Sequence, residues 1–291
     1  MFSDLLEKIR YFRDKRYVSK VYNATYGRRL DWENPTRYSE KLNIFKISKE
    51  SEKYSNYVDK FKVREYVKEA IGEEYLIPMV GLYENTDQID ILSLPTKFIL
   101  KCTHSSGATV ICQDKSQFNW DNEKVQIDKW LNSNFYFTSR ERQYKNIIPR
   151  IICEEYLDDG SGGLSDYKFH CFNGKVYFIR GITGRLTGLK KCTYDRDWNQ
   201  LPLTLDIHHE VGPSFMAKPS NLEEMIELAE KLSKPFPHVR VDLYNLKGKI
   251  YFGELTFTPA AGLFHFNDDK YDLEYGAKYN LVYSTHEFLG K

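Results

Sequence analysis

Arg240, Asp242 and Glu254 are the residues whose types and spacing point most directly to chemistry. The runs 239–244 and 249–256 alternate apolar and polar residues around Asn245-Leu246-Lys247-Gly248, a turn-rich connection, and read as a β-hairpin. Antiparallel pairing about that turn brings Asp242 and Glu254 close across the ladder. Two acids facing each other in an apolar hairpin repel, so a cation must hold them. Mg²⁺ is the natural candidate, because it takes hard oxygen ligands and leaves room for substrate phosphates. Arg240, two residues before Asp242, points to the same face of its strand. A metal-binding pair beside a guanidinium is equipment for phosphate or acyl-phosphate charge.

Two further constellations could join it. Lys101 ends a strand-like run and precedes Thr103-His104-Ser105-Ser106-Gly107. Small residues let backbone N–H groups approach phosphate oxygens, and a lysine at the strand end reaches the same charge. Alone the motif is weak: it is not a P-loop, a snorkelling surface lysine is the default, and His104 reads as an ordinary turn histidine. Glu154-Glu155-Tyr156-Leu157 ends an apolar strand at a loop, where backbone groups and a carboxylate can read an adenine edge. A solvated acidic strand end fits those residues equally well. The sequence holds no G-x-S-x-G elbow, so hydrolase chemistry has little support.

The elements that must position these groups follow from pattern. Residues 1–70 read as mainly helical, with a break at Trp32-Glu33-Asn34-Pro35, a helix start at 36–40 capped by Ser39, and a basic helical segment opened by Asp59-Lys60. Residues 75–83, 96–102, 108–112 and 147–155 read as strands, and 121–145 as helix. Residues 158–165 form a Gly/Asp/Ser-rich loop. Runs 166–172 and 175–181 form a hairpin through Asn173-Gly174. Residues 182–220 read as irregular, 222–232 as helix and 258–262 as loop. In the first twenty residues Leu5, Leu6, Ile9 and Phe12 share a helix face among basic side chains. That face is expected to dock on the protein itself; the sharper alternative is a peripheral contact with an anionic membrane.

Bulk properties bound the function. The chain has 291 residues, enough for one large or two ordinary domains. Lys and Arg number 42 against 41 Asp and Glu, so no charge excess argues for nucleic acid. The 22 Tyr and 18 Phe are read first as core, then as a stacking surface for sugars or nucleosides. Five cysteines without a C-x-x-C pair suit a reduced, cytoplasmic protein. No apolar run approaches the ~18 residues of a membrane span, and no signal-peptide core is present. The expected location is the cytoplasm, with the inner membrane face as the alternative.

The order of motifs is more specific than any one of them. It runs Ser39-Glu40-Lys41, Asp59-Lys60-x-x-Val63-Arg64-x-Tyr66-Val67, Lys97-Phe98-Ile99-Leu100-Lys101, Cys153-Glu154-Glu155-Tyr156-Leu157, Asp166-Tyr167-Lys168-Phe169-x-Cys171-Phe172-Asn173-Gly174, Arg240-Val241-Asp242-Leu243-Tyr244 and Gly253-Glu254-Leu255-Thr256-Phe257-Thr258-Pro259-Ala260-x-Gly262. Over residues 30–275 this resembles the ATP-grasp superfamily, and within it the TupA-like branch named for teichuronopeptide biosynthesis. The resemblance implies an α+β fold with two antiparallel-sheet lobes clamping ATP. It implies a helical N-terminal region over 1–93, a small lobe over 94–155 and a large lobe over 156–291.

It also implies an ATP- and Mg²⁺-dependent ligase that forms an amide through an acyl phosphate. Carried over by position, Lys60 and Lys101 contact phosphates, Ser105, Ser106 and Gly107 form the phosphate loop, and Glu154, Glu155, Tyr156 and Leu157 hold adenine. Asp166 meets the ribose, Asp242 and Glu254 bind metal, and Arg240 with Lys101 serves catalysis. The family's third metal position is Asn; here it is Thr256, with water or Thr258 as the substitute contact. The substrates implied are an acidic sugar of a cell-surface polysaccharide precursor and an amino-acid or peptide amine. The basic residues Arg180, Arg185, Lys190 and Lys191 suit the acidic partner. Alternatives are a glycan kinase, a glycosyltransferase-type protein of the same pathway, or a nucleotide-binding scaffold without turnover.

Overall fold

The computed structural model describes residues 2–158, 164–184, 188–205 and 214–281. Helix α1 (Phe2–Tyr26) docks through Tyr11, Asp14, Val18 and Tyr22, spaced three or four residues apart as one helical stripe requires. Leu5, Leu6, Ile9 and Phe12 lie exposed on the other side, which corrects the expectation that they dock. Polar anchors explain the choice of face. Glu7 accepts from Lys145 at 3.0 Å, and Asp14 accepts from the Tyr136 hydroxyl.

Helix α2 (Tyr38–Ile47) has Arg37 at its cap position, two residues before the expected Ser39 cap. The Glu40 carboxylate accepts from the N–H groups of Thr36 (2.9 Å) and Arg37 (3.0 Å), satisfying the helix start from within. Two single-turn helices, α3 (Lys49–Glu52) and α4 (Ser55–Val58), lead to α5 (Val63–Ala70). Asp59 receives the N–H groups of Phe61 (2.8 Å) and Lys62 (3.2 Å) before α5 begins.

The first sheet contains β1 (Met79–Tyr83), β2 (Phe98–Cys102), β3 (Thr109–Cys112) and β4 (Ile151–Glu155), in the order β1-β4-β2-β3, all antiparallel. The strands expected from residues 75 and 147 begin later, at Met79 and Ile151. The helix expected over 121–145 is also divided, into α6 (Trp120–Leu131) and α7 (Tyr136–Ser139). Asn132 and Ser133 cause the break: their side chains donate back to the carbonyls of Asp128 (2.8 Å) and Trp130 (2.7 Å). Phe98, Leu100, Cys102, Val110 and Cys112 pack on Ile127 of α6, leaving Ile99, Lys101, Thr109 and Ile111 on the other face.

The second sheet contains β5 (Asp166–Phe172), β6 (Lys175–Thr183), β7 (Lys190–Tyr194), β8 (His238–Leu246) and β9 (Lys249–Thr256), in the order β7-β6-β5-β8-β9. Strand β7 lies where irregular chain was expected. Its alternation is masked by two lysines at its start, and it is pinned by pairing to β6. Helix α8 (Leu222–Ser233) buries Met225, Ile226, Ala229 and Leu232 against Phe169, Val239 and Val241. Each large apolar side chain so buried contributes about 1.5–3 kcal/mol. Helix α9 (Asp269–Lys278), which the sequence reading missed, docks on α2. The buried Asp272 accepts from the Ser39 N–H (2.8 Å) and hydroxyl (2.6 Å) and from Arg28 (2.9 Å). All five cysteines are buried and free.

His238 sits at the seam of these layers, bonded to the Tyr38 hydroxyl and packed on Phe172 and Tyr279. Burial pushes its imidazole down to about 3, although the nearby Phe257 backbone, which favours the charged ring, opposes the shift. The unfolded chain takes up a proton below pH ~6.5 while the folded chain does not, so this group withdraws stability as pH falls. His238→Gln is expected to flatten the dependence of urea stability on pH between 6.5 and 5 by about 1 kcal/mol per pH unit on average. An identical slope in parent and variant would contradict the buried, neutral state.

Candidate active site

Strands β8 and β9 turn through Lys247 and Gly248 alone, both at positive φ (53° and 92°). The connection is therefore two residues, shorter than the four-residue turn expected. The register sets Asp242 opposite Glu254 and Arg240 opposite Thr256. Gly253 is an extra residue in β9, since Leu243 pairs with Phe252. A Cβ there would meet the Asp242 carbonyl oxygen at 3.0 Å and the Tyr244 ring at 3.1 Å, so glycine suits this bulge. Strand β5 places Lys168 opposite Asp242 and His170 opposite Arg240, and β6 adds Arg180 opposite Lys168. One face of the sheet thus carries a row of two cations and two acids.

The acids are held by the chain's own cations. Arg240 donates from Nε and Nη2 to the two Asp242 oxygens at 2.6 and 2.8 Å, and from Nη2 to Glu254 at 2.7 Å. Its Nη2 also reaches the Thr256 hydroxyl at 3.0 Å, which in turn donates to Glu254 at 2.9 Å. Lys168 donates to Asp242 Oδ2, the oxygen that Arg240 Nη2 also reaches. The Asp242 side chain is 3% exposed, whereas that of Glu254 is 46% exposed into the cleft. Burial lifts the Asp242 carboxyl despite both cations. Burial also acts to raise Glu254, but Arg240, Lys168 and Lys60 outweigh it and hold that carboxyl down at about 2.

A cleft of about 430 Å³ separates this face from the first sheet. Lys60, Lys101, Ser106, Gly107, Glu154, Glu155, Tyr156, Leu157, Asp166, Asp242 and Glu254 all line it. Ser105 is buried beside it, and its carbonyl accepts from Lys60. Burial pushes the Lys60 ammonium down, with Glu254 opposing. Glu154 accepts from Arg64 at 3.0 Å and Lys101 at 2.6 Å. Apolar Ile99, Ile111 and Phe252 complete the walls. Thr258 is not in the cleft: buried, it donates to Glu141 and accepts from Gln143 at 2.8 Å, which removes it as a substitute metal contact.

Behind Arg240 and Lys168 lies a second cavity of about 470 Å³. His170, Arg180, Lys191 and His265 line it with those two cations, and among the described residues no carboxylate does. Its rim is the 259–262 turn, where Ala260 and Ala261 adopt positive φ of 50° and 53°. Polar side chains of α2 clamp that turn: Asn43 donates to the Gly262 carbonyl and Lys46 to that of Ala261, each at 2.7 Å. Of the basic residues singled out in sequence, Arg180 and Lys191 line this cavity; Arg185 lies outside the described residues.

Lys168 and Arg64 stood in the sequence only as motif residues without a role, and His170 and His265 were not singled out. Lys168 and His170 carried a usable signal, the alternation Asp166-x-Lys168-x-His170 ahead of an Asn-Gly turn. His265 comes from another element and carried none.

Because Arg240 serves both acids, its loss and that of Asp242 should not add. Arg240→Met is expected to cost about 3–5 kcal/mol by leaving a buried acid under-compensated, and Asp242→Asn in the same chain should restore part of that loss. Urea titration of the four-member cycle measures the coupling; strictly additive costs would refute it.

Comparison with known proteins places this arrangement. The D-alanine–D-alanine ligase of Helicobacter pylori is 14% identical, with a TM-score of 0.40 over 77% of this chain and 61% of that one. The ATP-grasp ligase PsnB with its minimal precursor is 8% identical, with a TM-score of 0.40 over 75% and 60%. Biotin carboxylase of Campylobacter jejuni is 14% identical, with a TM-score of 0.45 over 78% and 47%. The chain therefore spans less than two thirds of the length of each of these structures. No curated protein matches it. The TupA-like ATPgrasp family model matches residues 40–280, and two antiparallel sheets with their helices enclose the cleft as that fold requires. The chain belongs to the TupA-like ATP-grasp family.

Proposed function

We propose that the protein is an ATP- and Mg²⁺-dependent carboxylate–amine ligase that joins an amino-acid or peptide amine to an acidic sugar of a cell-surface polysaccharide precursor. One observation carries the reading. Lys168 lines both cavities, and Arg240 lines the second while its guanidinium holds the two acids of the first. A negative group entering the second cavity would meet cations that already touch the phosphate side.

The residues of the first cleft fit a metal nucleotide. Four basic side chains (Lys60, Arg64, Lys101 and Lys168) and five acidic ones (Glu154, Glu155, Asp166, Asp242 and Glu254) line it, and Arg240, bonded to Asp242 and Glu254 from behind, brings the charges into balance. A polyphosphate entering this neutral cleft adds negative charge that a divalent cation offsets. Asp242 and Glu254 would hold the metal, with the Thr256 hydroxyl beside them, as a hard-oxygen set completed by phosphate and water. When bound, Mg²⁺ supplies Lewis-acid stabilisation of the transferring phosphoryl group. Lys60, Lys101 and the Ser106-Gly107 turn would contact the phosphates. Glu154 to Leu157, with Ile99, Ile111 and Phe252, would hold the base.

The chemistry left to the chain is orientation and charge control. A substrate carboxylate oxygen attacks the γ-phosphorus, ADP leaves, and the amine then displaces phosphate to form the amide. Arg240 and Lys168 stand where the carboxylate must approach and where oxyanion charge develops. His170, buried and kept neutral by burial and the surrounding cations, lines the same cavity with its Nδ1 unpartnered. It offers a polar contact that adds no charge.

Saturating MgATP at about a hundred times its Kd is expected to stabilise the protein by about 2.7 kcal/mol, and Asp242→Asn with Glu254→Gln should remove that gain. Uronic acids screened against amino acids should then yield ADP, phosphate and an amide mass. A phosphorylated sugar without amide would favour a glycan kinase, and no response to MgATP would overturn the reading.

A further inference from the structure

We propose that the outer face of α1 seats the protein on an anionic membrane surface. The helix carries apolar residues on two opposite sides. Tyr11, Val18 and Tyr22 are at most 8% exposed and dock inward. Leu5 (55%), Leu6 (48%), Ile9 (47%) and Phe12 (54%) face away from the protein. At 100° per residue these four cluster on one side, and Arg13, Arg16 and Lys20, all exposed, continue the same side along the helix. An apolar patch of four large side chains that passes into a basic patch has the composition of an interfacial helix.

The patch is presented rigidly. Glu7 is tied to Lys145 (3.0 Å) and Arg142 (3.4 Å), and Asp14 to Tyr136 and Arg140 (3.6 Å). Those two acids, the only ones between residues 5 and 20, thus pair on the docked side. The outward side is left cationic, which selects the partner. A second copy of this chain would set Arg13, Arg16 and Lys20 near like charges with no acid on that face to pair them. Anionic headgroups satisfy the basic half, and the acyl boundary accepts the apolar half. Contact is peripheral, because no described helix is long and apolar enough to cross a membrane.

The far end of the same helix reaches the second cavity. The Tyr26 hydroxyl donates to the carbonyls of Gly262 (3.2 Å) and Phe264 (2.7 Å), beside His265. Seventeen residues separate Ile9 from Tyr26, about 25 Å at helical rise. The proposal stands on the helix alone and does not depend on the reaction assigned above.

Sedimentation of the full chain with vesicles tests it. Binding to mixed phosphatidylglycerol–phosphatidylcholine vesicles should exceed binding to phosphatidylcholine alone by at least about tenfold and should weaken with salt. Leu5→Ser with Ile9→Ser and Phe12→Ser should abolish binding without lowering the melting temperature, since these side chains are exposed. Arg13→Gln with Arg16→Gln and Lys20→Gln should erase the lipid preference while the fold persists. No binding to anionic vesicles, or binding that survives both sets of changes, would overturn the proposal. So would a dimer in solution that the serine variant dissociates, which would assign the face to a second copy.

Discussion

Asp242 and Glu254 are forced together by the pairing of β8 and β9, and the structure is arranged around that repulsion. The two-residue turn and the Gly253 bulge fix the register that sets the two acids opposite each other. Arg240 and Lys168 answer them, one from the same strand and one from its neighbour. The four charges cancel in an apolar sheet, where any one left alone would be expensive. This neutral cluster also defines the chemistry. A divalent cation can enter only by displacing positive charge already present, and the displaced charge adjoins a cavity lined by basic side chains.

The remaining architecture holds that partition in place. α8 covers the opposite face of the sheet and fixes the strands that carry the charges. α2 reaches over the other side, where Asn43 and Lys46 hold the 259–262 turn in its left-handed conformation. α9 locks α2 through Asp272, Ser39 and Arg28. These contacts tie the turn and α9 to α2 through buried polar groups, although Asn43 Oδ1 and Arg28 Nε are left without a partner.

Much of this was legible in the sequence, for a local reason. The β8–β9 hairpin and its facing acids follow from period-2 alternation on either side of the turn-rich run 245–248, all within twenty residues. The family order of motifs then gathered Lys60, Lys101 and Glu154 into one cleft, although each is ambiguous alone. What failed was non-local. Lys168 stood in a motif without a role, and only the pairing of β5 with β8, more than seventy residues away, sets it against Asp242. Mg²⁺ was the expected counter-charge, and Arg240 was read as a neighbour when it is the bridge. β7 was missed because two lysines at its start mask its alternation, and α9 because its partner α2 lies more than two hundred residues away. The α1 face was misassigned because its apolar residues occupy two sides, and only the salt bridges of Glu7 and Asp14 decide which one docks.

The most direct test of the central claim, that Arg240 and Lys168 stand where a metal nucleotide's charge belongs, is a crystal structure with Mg²⁺ and a non-hydrolysable ATP analogue. The account predicts the metal between Asp242 and Glu254, with the Arg240 guanidinium released from Glu254 toward the second cavity. A bound metal nucleotide with Arg240 still bridging both carboxylates, or nucleotide bound away from the Lys60–Lys101 cleft, would contradict it.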